Sequence, residues 1–347
     1  MEIKFKVILT VLVYLQLSFH SYAQYGVEQD NWLNRKGGKL FYGLEGYSFS
    51  SFLKTANGIM AYSQEKGKVF YLNDEHVIQK EWEVKTHHDV LENPQFYFYD
   101  DNIAILGSFL NKTALWFDLE KMKMRKEREQ KNPKSKFLEI DHFANLKFGK
   151  YQLVLNQNSN HPKTLASLYA YKGIRRKALY TLNISNAGVA QTGNVIDFVA
   201  YQNQIWVLDV VNKRILVLNK ELEIVLEKDI KHLWDFNYLK KIPRTGQMIP
   251  IDCQLYYDNI NQALYLSKQS YSKKDGLKRN TSVYRVTLND RDFKLDKVLE
   301  RASYLNINQI TAGKMYILEA GQEKEAKDRS FSILDQGKYQ YVYEIEL

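Results

Sequence analysis

The chain has 347 residues, 45% of them hydrophobic, and a net charge of +9, so it is long enough to bury a large core. Its one cysteine, Cys253, excludes an intramolecular disulfide framework and is expected to pack as a small buried side chain. The sequence has no HExxH motif, paired-cysteine motif, glycine-rich phosphate loop or Gly-x-Ser-x-Gly elbow. Enzyme classes that depend on those motifs are therefore excluded.

The first 23 residues have the features of a secretory signal peptide. Lys4 and Lys6 form a charged head, residues 7–17 form an apolar core, and small residues at positions 21 and 23 precede Gln24. A membrane anchor is the weaker alternative, because a helix that spans a bilayer needs about 20 apolar residues. Cleavage predicts a single mature domain, residues 24–347, with a net charge of +8 and no transmembrane segment. We expect export to the periplasm or beyond.

Six units of short apolar segments repeat along the mature chain. The paired segments are residues 59–62 with 69–72, 103–106 with 114–119, 152–155 with 167–171, 205–209 with 214–218, 263–266 with 282–287, and 315–319 with 330–334. A further strand closes each unit, at residues 77–82, 121–125, 177–184, 224–229, 293–299 and 339–345. Four-stranded units with a period of about 40 to 50 residues are typical of β-propellers. The sequence therefore predicts an all-β, six-bladed propeller of four-stranded antiparallel blades.

The blade count depends on how the N-terminal segment KLFYGL, residues 39–44, is assigned. Seven blades result if this segment begins a blade of its own. We instead expect it to complete the last blade beside the C-terminal YVYEIEL, residues 341–347, which closes the ring through both termini.

The clearest blade begins at residue 195, with predicted strands at 195–200, 205–209 and 214–218 and an Asn in both turns. Its Ile-Trp-Val-Leu-Asp segment at 205–209, followed by Arg-Ile-Leu-Val-Leu at 214–218, resembles the core of an NHL-type blade. By its repeat pattern the mature chain resembles the six-bladed β-propeller superfamily, in the group that contains NHL-repeat and TolB-like proteins. Other blades depart from the motif, with Ser63 and Gly107 where the Asp would stand. The resemblance implies the fold and says little about activity.

A polar residue lies near the start of each predicted innermost strand. These residues are Ser51, Gln95, Asp141, Asp197, Asp252 and Asn308. Because innermost strands line the channel of a closed propeller, the side chains are predicted to form a ring near one mouth. Such oxygens suit a hard cation such as calcium, and equally suit water or the backbone groups at strand starts. We expect the structural role and no cofactor, with calcium as the alternative.

Histidines near the strand starts are candidate metal ligands or acid–base groups. His142 directly follows Asp141, and His87-His88-Asp89 precedes the innermost strand of the second blade. A histidine and carboxylate set from adjacent blades could bind a transition metal or transfer protons. Single histidines near strand starts are more often structural. We therefore place His142 in the candidate binding ring and assign no catalytic residue.

The densest basic run covers residues 121–136, with eight Lys or Arg and two Glu. It has no interleaved aromatic residues, so we expect a solvated hairpin and loop and no nucleic-acid partner. An anionic membrane or polysaccharide is the functional alternative for this run.

Repeats without a catalytic motif predict a non-catalytic binding or scaffolding propeller of the bacterial cell envelope that engages a protein. Two alternatives stay open. A cation-dependent hydrolase at the channel mouth, similar to the lactonase-type propellers, would rest on Asp141, Asp197 and Asp252. A glycan-binding module would need exposed Tyr or Trp beside the channel, and the chain has 25 Tyr and 5 Trp.

Overall fold

The computed structural model describes residues 39–43, 49–84, 95–100, 102–108, 113–127, 145–157, 164–173, 175–183, 195–235, 253–271, 279–289, 292–302, 305–319 and 341–347. Within these ranges the regular structure is β-strand apart from one short 3-10 helix, Lys231–Leu233. The strands form six four-stranded antiparallel sheets, each of which is one blade. The six-bladed β-propeller predicted from the repeats is confirmed. No helix in these ranges is long and apolar enough to cross a membrane.

Five blades consist of four consecutive strands, and the sixth uses both ends of the described chain. The first strand of the chain, β1 (Lys39–Gly43), belongs to blade 6. Blade 1 contains β2 (Ser51–Thr55), β3 (Gly58–Ser63), β4 (Lys68–Leu72) and β5 (Ile78–Glu83). Blade 2 contains β6 (Gln95–Asp100), β7 (Ile103–Ser108), β8 (Thr113–Asp118) and β9 (Lys123–Glu127). Blade 3 contains β10 (Asn145–Phe148), β11 (Tyr151–Gln157), β12 (Thr164–Lys172) and β13 (Arg175–Asn183).

The other three blades have the same order from the axis outwards. Blade 4 contains β14 (Ile196–Tyr201), β15 (Gln204–Asp209), β16 (Arg214–Leu218) and β17 (Ile224–Asp229). Blade 5 contains β18 (Cys253–Asp258), β19 (Ala263–Tyr271), β20 (Arg279–Asn289) and β21 (Asp292–Arg301). Blade 6 contains β22 (Ile307–Thr311), β23 (Lys314–Glu319), β24 (Tyr341–Glu346) and β1.

Burial differs between the central and the outermost strands of a blade. All six residues of β3 and five of six in β15 are buried, whereas β5 exposes every residue except Trp82. Because the blades pack face to face, the central strands are covered on both sides. This explains why their sequences are continuous apolar runs rather than alternating patterns.

Among the described residues, five hydrophobic clusters each join two neighbouring blades, and a sixth contains residues of blade 2. Between blades 4 and 5, Trp206 packs edge-on against Phe293 with ring centroids 5.4 Å apart. Between blades 6 and 1, the rings of Phe52 and Tyr316 lie 6.1 Å apart. Cys253 is 2% exposed and packs in the cluster between blades 4 and 5, as expected for a small buried side chain. These contacts hold the blades in a closed ring.

The antiparallel order gives every blade two distinct ends. Turns from the first to the second strand and from the third to the fourth lie at one end, which we call the turn end. Turns from the second to the third strand, and the connections between blades, lie at the opposite end, the connection end. Several turn-end hairpins are tight. The backbone angle φ is 50° at Gln202 and 59° at Asn203, and it is 54° at Ala312 and 74° at Gly313. These positive values are the left-handed conformation that a type I′ turn requires.

The ring closes through both ends of the described chain, as predicted. β24 pairs with β23 on one side and with β1 on the other, where Leu40 lies opposite Tyr343 and Gly43 opposite Tyr341. The N-terminal strand therefore does not begin a seventh blade.

One detail of the predicted last blade is wrong. Tyr341–Glu346 is the third strand, in the position expected for residues 330–334, and the N-terminal strand is the fourth. Both C-terminal segments are suitable strands by composition, and the sequence pattern could not tell which of them pairs with β23. Residues 330–334 lie outside the described residues. The predicted signal peptide, residues 1–23, also lies outside them, so cleavage and export stay predictions.

Candidate functional site

Six innermost strands, β2, β6, β10, β14, β18 and β22, surround the axis, and each contacts the innermost strands on both sides. Ser51 and Gln95 are the first residues of their strands, and Asp197 and Asn308 are the second. All four therefore lie toward the connection end, as the predicted ring requires. Gln95 pairs through its backbone with Gly107 of β7.

Three residues of the predicted ring lie outside the described part of the chain. The innermost strand of blade 3 begins at Asn145, after Asp141 and His142, and that of blade 5 begins at Cys253, directly after Asp252. A role for these three residues in a site stays a prediction.

Asp197 joins the innermost strands of blades 4 and 5. Its Oδ2 accepts a hydrogen bond from the N–H of Leu255 at 2.6 Å, and its Oδ1 accepts one from the N–H of Phe198 at 2.9 Å. Although the side chain keeps some solvent contact, desolvation by the surrounding protein raises the pKa of Asp197 to about 6. The two backbone hydrogen bonds act in the opposite direction, since they favour the charged form.

Ser51 and Asn308 make the same kind of contact at other positions in the ring. The Ser51 hydroxyl accepts a hydrogen bond from the N–H of Phe96 in blade 2 at 3.0 Å. The Asn308 amide donates from Nδ2 to the carbonyl oxygen of Phe52 in blade 1 at 2.9 Å. The channel-side edge of an innermost strand has no further strand to pair with, so its backbone groups need other partners. Side chains from the neighbouring blade supply them.

Gln309, which the sequence analysis did not single out, makes a two-point contact with the backbone of Lys54. Its Oε1 accepts from the Lys54 N–H at 2.8 Å, and its Nε2 donates to the Lys54 carbonyl at 2.9 Å. A register shift between Ile307 and Gln309 lets the successive residues Asn308 and Gln309 both reach blade 1. An Asn-Gln pair on an innermost strand was visible in the sequence, but the bulge was not.

Asp258 is a second residue that the sequence analysis missed. Its carboxylate is fully buried, and Oδ1 accepts from the N–H groups of Ile260 and Asn261 at 3.1 Å each, and of Ala312 at 2.8 Å. Oδ2 accepts from the N–H of Gly313 at 2.8 Å. One side chain thus caps its own turn and binds the tight turn of blade 6. An Asp followed by Asn after an apolar strand is a turn signal that could have identified it.

The NHL-like motif of blade 4 forms a contact between blades. Asp209 is fully buried, and its Oδ2 accepts from the Tyr180 hydroxyl at 2.5 Å, the Arg214 Nε at 3.1 Å and the Asn212 Nδ2 at 2.7 Å. Tyr180 lies on β13, the outermost strand of blade 3. Burial is the largest cause that raises the pKa of Tyr180, and the hydrogen bond from Tyr180 to Asp209 raises it further. The motif residues therefore fasten blade 3 to blade 4, a structural role.

A polar pocket of about 370 Å³ opens at the turn end between blades 2 and 3. It is lined by Asp100, Asn102, Ile103, Asp118, Glu120, Lys121 and Lys147. Lys147 pairs with Asp100 across the two blades at 3.3 Å, and Lys121 pairs with Asp118 at 3.0 Å. Backbone and side-chain hydrogen bonds from Lys121 lower the pKa of Asp118.

The ring does not assemble a metal site from its described members. Among the residues that the structure describes, no three His, Cys, Asp or Glu side chains lie close enough to hold a metal ion. The described ring side chains direct their oxygen and amide groups at backbone groups of neighbouring strands. Calcium at the complete ring stays a prediction.

No protein-family model matches the chain, and neither does any curated protein. Among solved structures, virginiamycin B lyase from Staphylococcus aureus has 10% identity and a TM-score of 0.43, over 90% of this chain and 98% of that one. A predicted exported protein of Bacteroides fragilis has 8% identity and a TM-score of 0.47, over 90% and 94%. The calcium-binding protein regucalcin from Agrobacterium tumefaciens has 10% identity and a TM-score of 0.40, over 89% and 93%.

At these identities and TM-scores, none of the three structures carries an activity, a ligand or a residue over to this chain. Its own strand order and ring closure make the protein a six-bladed β-propeller.

Proposed function

We propose that this protein is a non-catalytic binding propeller of the bacterial cell envelope, and that it engages a protein partner through the turn end. The observation that carries this proposal is the position of the exposed large apolar side chains. Among the described residues they are Val77, Ile78, Ile224, Val225, Ile260 and Val298, exposed by 37 to 55%. All except Val298 lie at the turn end. Adjacent exposed apolar side chains, as in the pairs Val77-Ile78 and Ile224-Val225, give a partner apolar surface to cover at this end.

Two of these apolar pairs lie on opposite sides of the ring. Val77 and Ile78 belong to blade 1, and Ile224 and Val225 belong to blade 4, three blades away. Ile78 and Ile224 are each the first residue of an outermost strand. A partner that covers both pairs would span the ring at its turn end.

The turns before these strands have the same hydrogen bonds, which hold the apolar residues in ordered positions. Asn73 Oδ1 accepts from the N–H of Val77 at 2.8 Å, and Asn219 Oδ1 accepts from the N–H of Glu223 at 2.9 Å. An ordered surface loses little conformational entropy when it binds.

The hydrogen bonds that Asp197 accepts at the channel favour a binding protein over an enzyme. Asp197 has the raised pKa that a general acid or base needs, but both of its oxygens accept hydrogen bonds from backbone N–H groups. Each oxygen thus holds a backbone group, one in β14 and one in β18, which suits a side chain that links blades 4 and 5.

The test compares capture of an envelope protein by three forms of the purified protein. Wild type and Val298→Ser are expected to cross-link to the same partner in an envelope extract. The Ile224→Ser/Val225→Ser variant should capture it about tenfold less, as expected when apolar side chains at an interface are truncated. Equal capture by the double variant would contradict the proposal.

Metal content tests the enzyme alternative on the same samples. Elemental mass spectrometry would be run on wild type and Asp197→Asn, purified without chelator. One metal ion per chain that is lost in Asp197→Asn would overturn the non-catalytic proposal in favour of a cation-dependent hydrolase.

A further inference from the structure

One long segment of the chain has basic residues and no acidic ones. Residues 142–196 contain no Asp or Glu, but they contain seven Lys and Arg. That segment carries +7 of the +9 of the whole chain, so the other 292 residues together carry +2. It includes all four strands of blade 3, which therefore has no acidic side chain of its own to neutralise its lysines and arginines.

Six of the seven basic residues lie in the described part of blade 3, and all six are exposed. They are Lys147, Lys150, Lys172, Arg175, Arg176 and Lys177. The first two flank the turn between β10 and β11, and the other four flank the turn between β12 and β13. All six thus lie at the turn end, in a group that we call the basic corner. Since neighbouring strands are about 4.8 Å apart, the corner is about 14 Å wide across four strands.

Several cations of the basic corner are held by uncharged groups. The Arg176 guanidinium lies 4.6 Å from the centre of the Tyr169 ring, and the Lys150 ammonium lies 5.4 Å from that of Tyr151. Lys177 donates to the carbonyl oxygen of Leu222 at 2.9 Å. Such contacts order these three side chains without cancelling their charge, whereas Lys147 pairs with Asp100 of blade 2. The corner is therefore arranged in advance for an anion.

We propose that the basic corner binds an acidic polysaccharide, a polymer with carboxylate or sulfate groups in series. Cations on neighbouring strands match anions that repeat along a chain, and arginine forms bidentate hydrogen bonds with such groups. The proposal uses other residues than the apolar pairs on blades 1 and 4. It does not depend on the proposed protein partner.

Two other polyanions fit the corner less well. A surface that enters a lipid bilayer adds apolar side chains to its basic ones, and none of the exposed large apolar residues that the structure describes belongs to blade 3. Nucleic-acid sites offer aromatic faces for base stacking, whereas the Tyr169 and Tyr151 rings carry a cation over one face. A lipid surface and a nucleic acid are therefore outcomes of the test.

The test measures the affinity of the purified protein for polygalacturonate and for dextran sulfate in dilute salt, with neutral dextran as the ligand control. Lys172→Glu/Arg175→Glu reverses two charges that lie within the corner. Lys80→Glu/Lys220→Glu makes the same change in net charge at exposed positions on blades 1 and 4. We expect about tenfold weaker binding for the first variant, a change within about twofold for the second, and a steep loss for wild type as salt is added.

Three results would overturn the proposal: no binding of either acidic polymer by wild type, an equal loss in both double variants, or tighter binding to phosphatidylglycerol vesicles or duplex DNA. Circular dichroism checks that the variants are folded. Lys150→Glu, in an exposed turn, replaces the double variant in the comparison if that variant folds poorly.

Discussion

Asp197 accepts hydrogen bonds from two backbone N–H groups and is also largely removed from water inside the ring. The hydrogen bonds lower its pKa, and the removal from water raises it. The hydrogen bonds from Leu255 and Phe198 favour the carboxylate, whereas removal from water favours the neutral acid. Desolvation is the larger effect, because the pKa is raised to about 6 from its ordinary value of 3.8. The same side chain therefore links two blades and stabilises the folded protein less as a carboxylate than as the neutral acid.

We expect the contribution of Asp197 to stability to fall as the pH rises from about 4 to about 6. In this window the folded state retains a proton that the unfolded state has released, so raising the pH favours unfolding. The loss amounts to at most about 3 kcal/mol and is complete above pH 6.

Urea unfolding of wild type and Asp197→Asn measures this contribution, since the amide does not titrate. The advantage of wild type over the variant should be smaller at neutral pH than at about pH 4.5. The same difference at both pH values would show that the carboxyl titrates normally in the folded state.

At the scale of single elements, tight turns of this propeller are held by side chains of other strands. Asp258, at the end of β18, binds the turn between β22 and β23 through the N–H groups of Ala312 and Gly313. Asp209, at the end of β15, binds Tyr180 on the outermost strand of blade 3. An acidic residue at a strand end thus serves twice, as a cap for its own turn and as a link to a neighbouring blade.

Asp258→Ala is expected to lower the free energy of unfolding by about 2 to 4 kcal/mol. The substitution removes the four hydrogen bonds that the buried carboxylate accepts from backbone N–H groups of two turns, and each contributes about 0.5 to 1.5 kcal/mol. Chemical denaturation measures the change.

Asp296→Ala is the matched control for Asp258→Ala. The Asp296 carboxylate is 43% exposed and pairs with Lys294 on the surface, and exposed pairs contribute about 1 kcal/mol or less. A loss in Asp258→Ala no larger than that in the control would contradict the assigned role of Asp258.

Ring closure operates at the scale of the whole molecule, and β24 is central to it. β24 lies inside the sheet of blade 6, so its removal would expose one edge of β23 and leave β1 without a partner. The apolar cluster between blades 6 and 1 includes Val342 from this strand.

Removal of residues 341–347 is therefore expected to abolish the cooperative thermal transition. Removal of Leu347 alone, which leaves β24 intact, should change the melting temperature by only a few degrees, because a single terminal residue is lost. Differential scanning calorimetry compares the two. A cooperative transition at the wild-type temperature in the longer truncation would show that the ring does not need this strand.

The sequence by itself determined the architecture of this protein. Strand periodicity and turn residues are local properties, so the repeat revealed six blades of four strands, their approximate bounds and the use of both termini in blade 6. It also showed polar residues at the starts of innermost strands. The charged residues could be counted, but not the grouping of six lysines and arginines at one end of blade 3, because that depends on which turns the fold brings together.

Only the tertiary structure decided what those polar residues contact. The partners of Ser51, Asp197 and Asn308 lie 45, 58 and 256 residues away in the chain. The third strand of blade 6 was likewise decided by pairing rather than by pattern, because several segments are suitable strands and it is β24 that pairs with both β23 and β1. Periodicity reports which face of a strand is buried. It carries no information about which distant backbone group a side chain meets once the ring has closed.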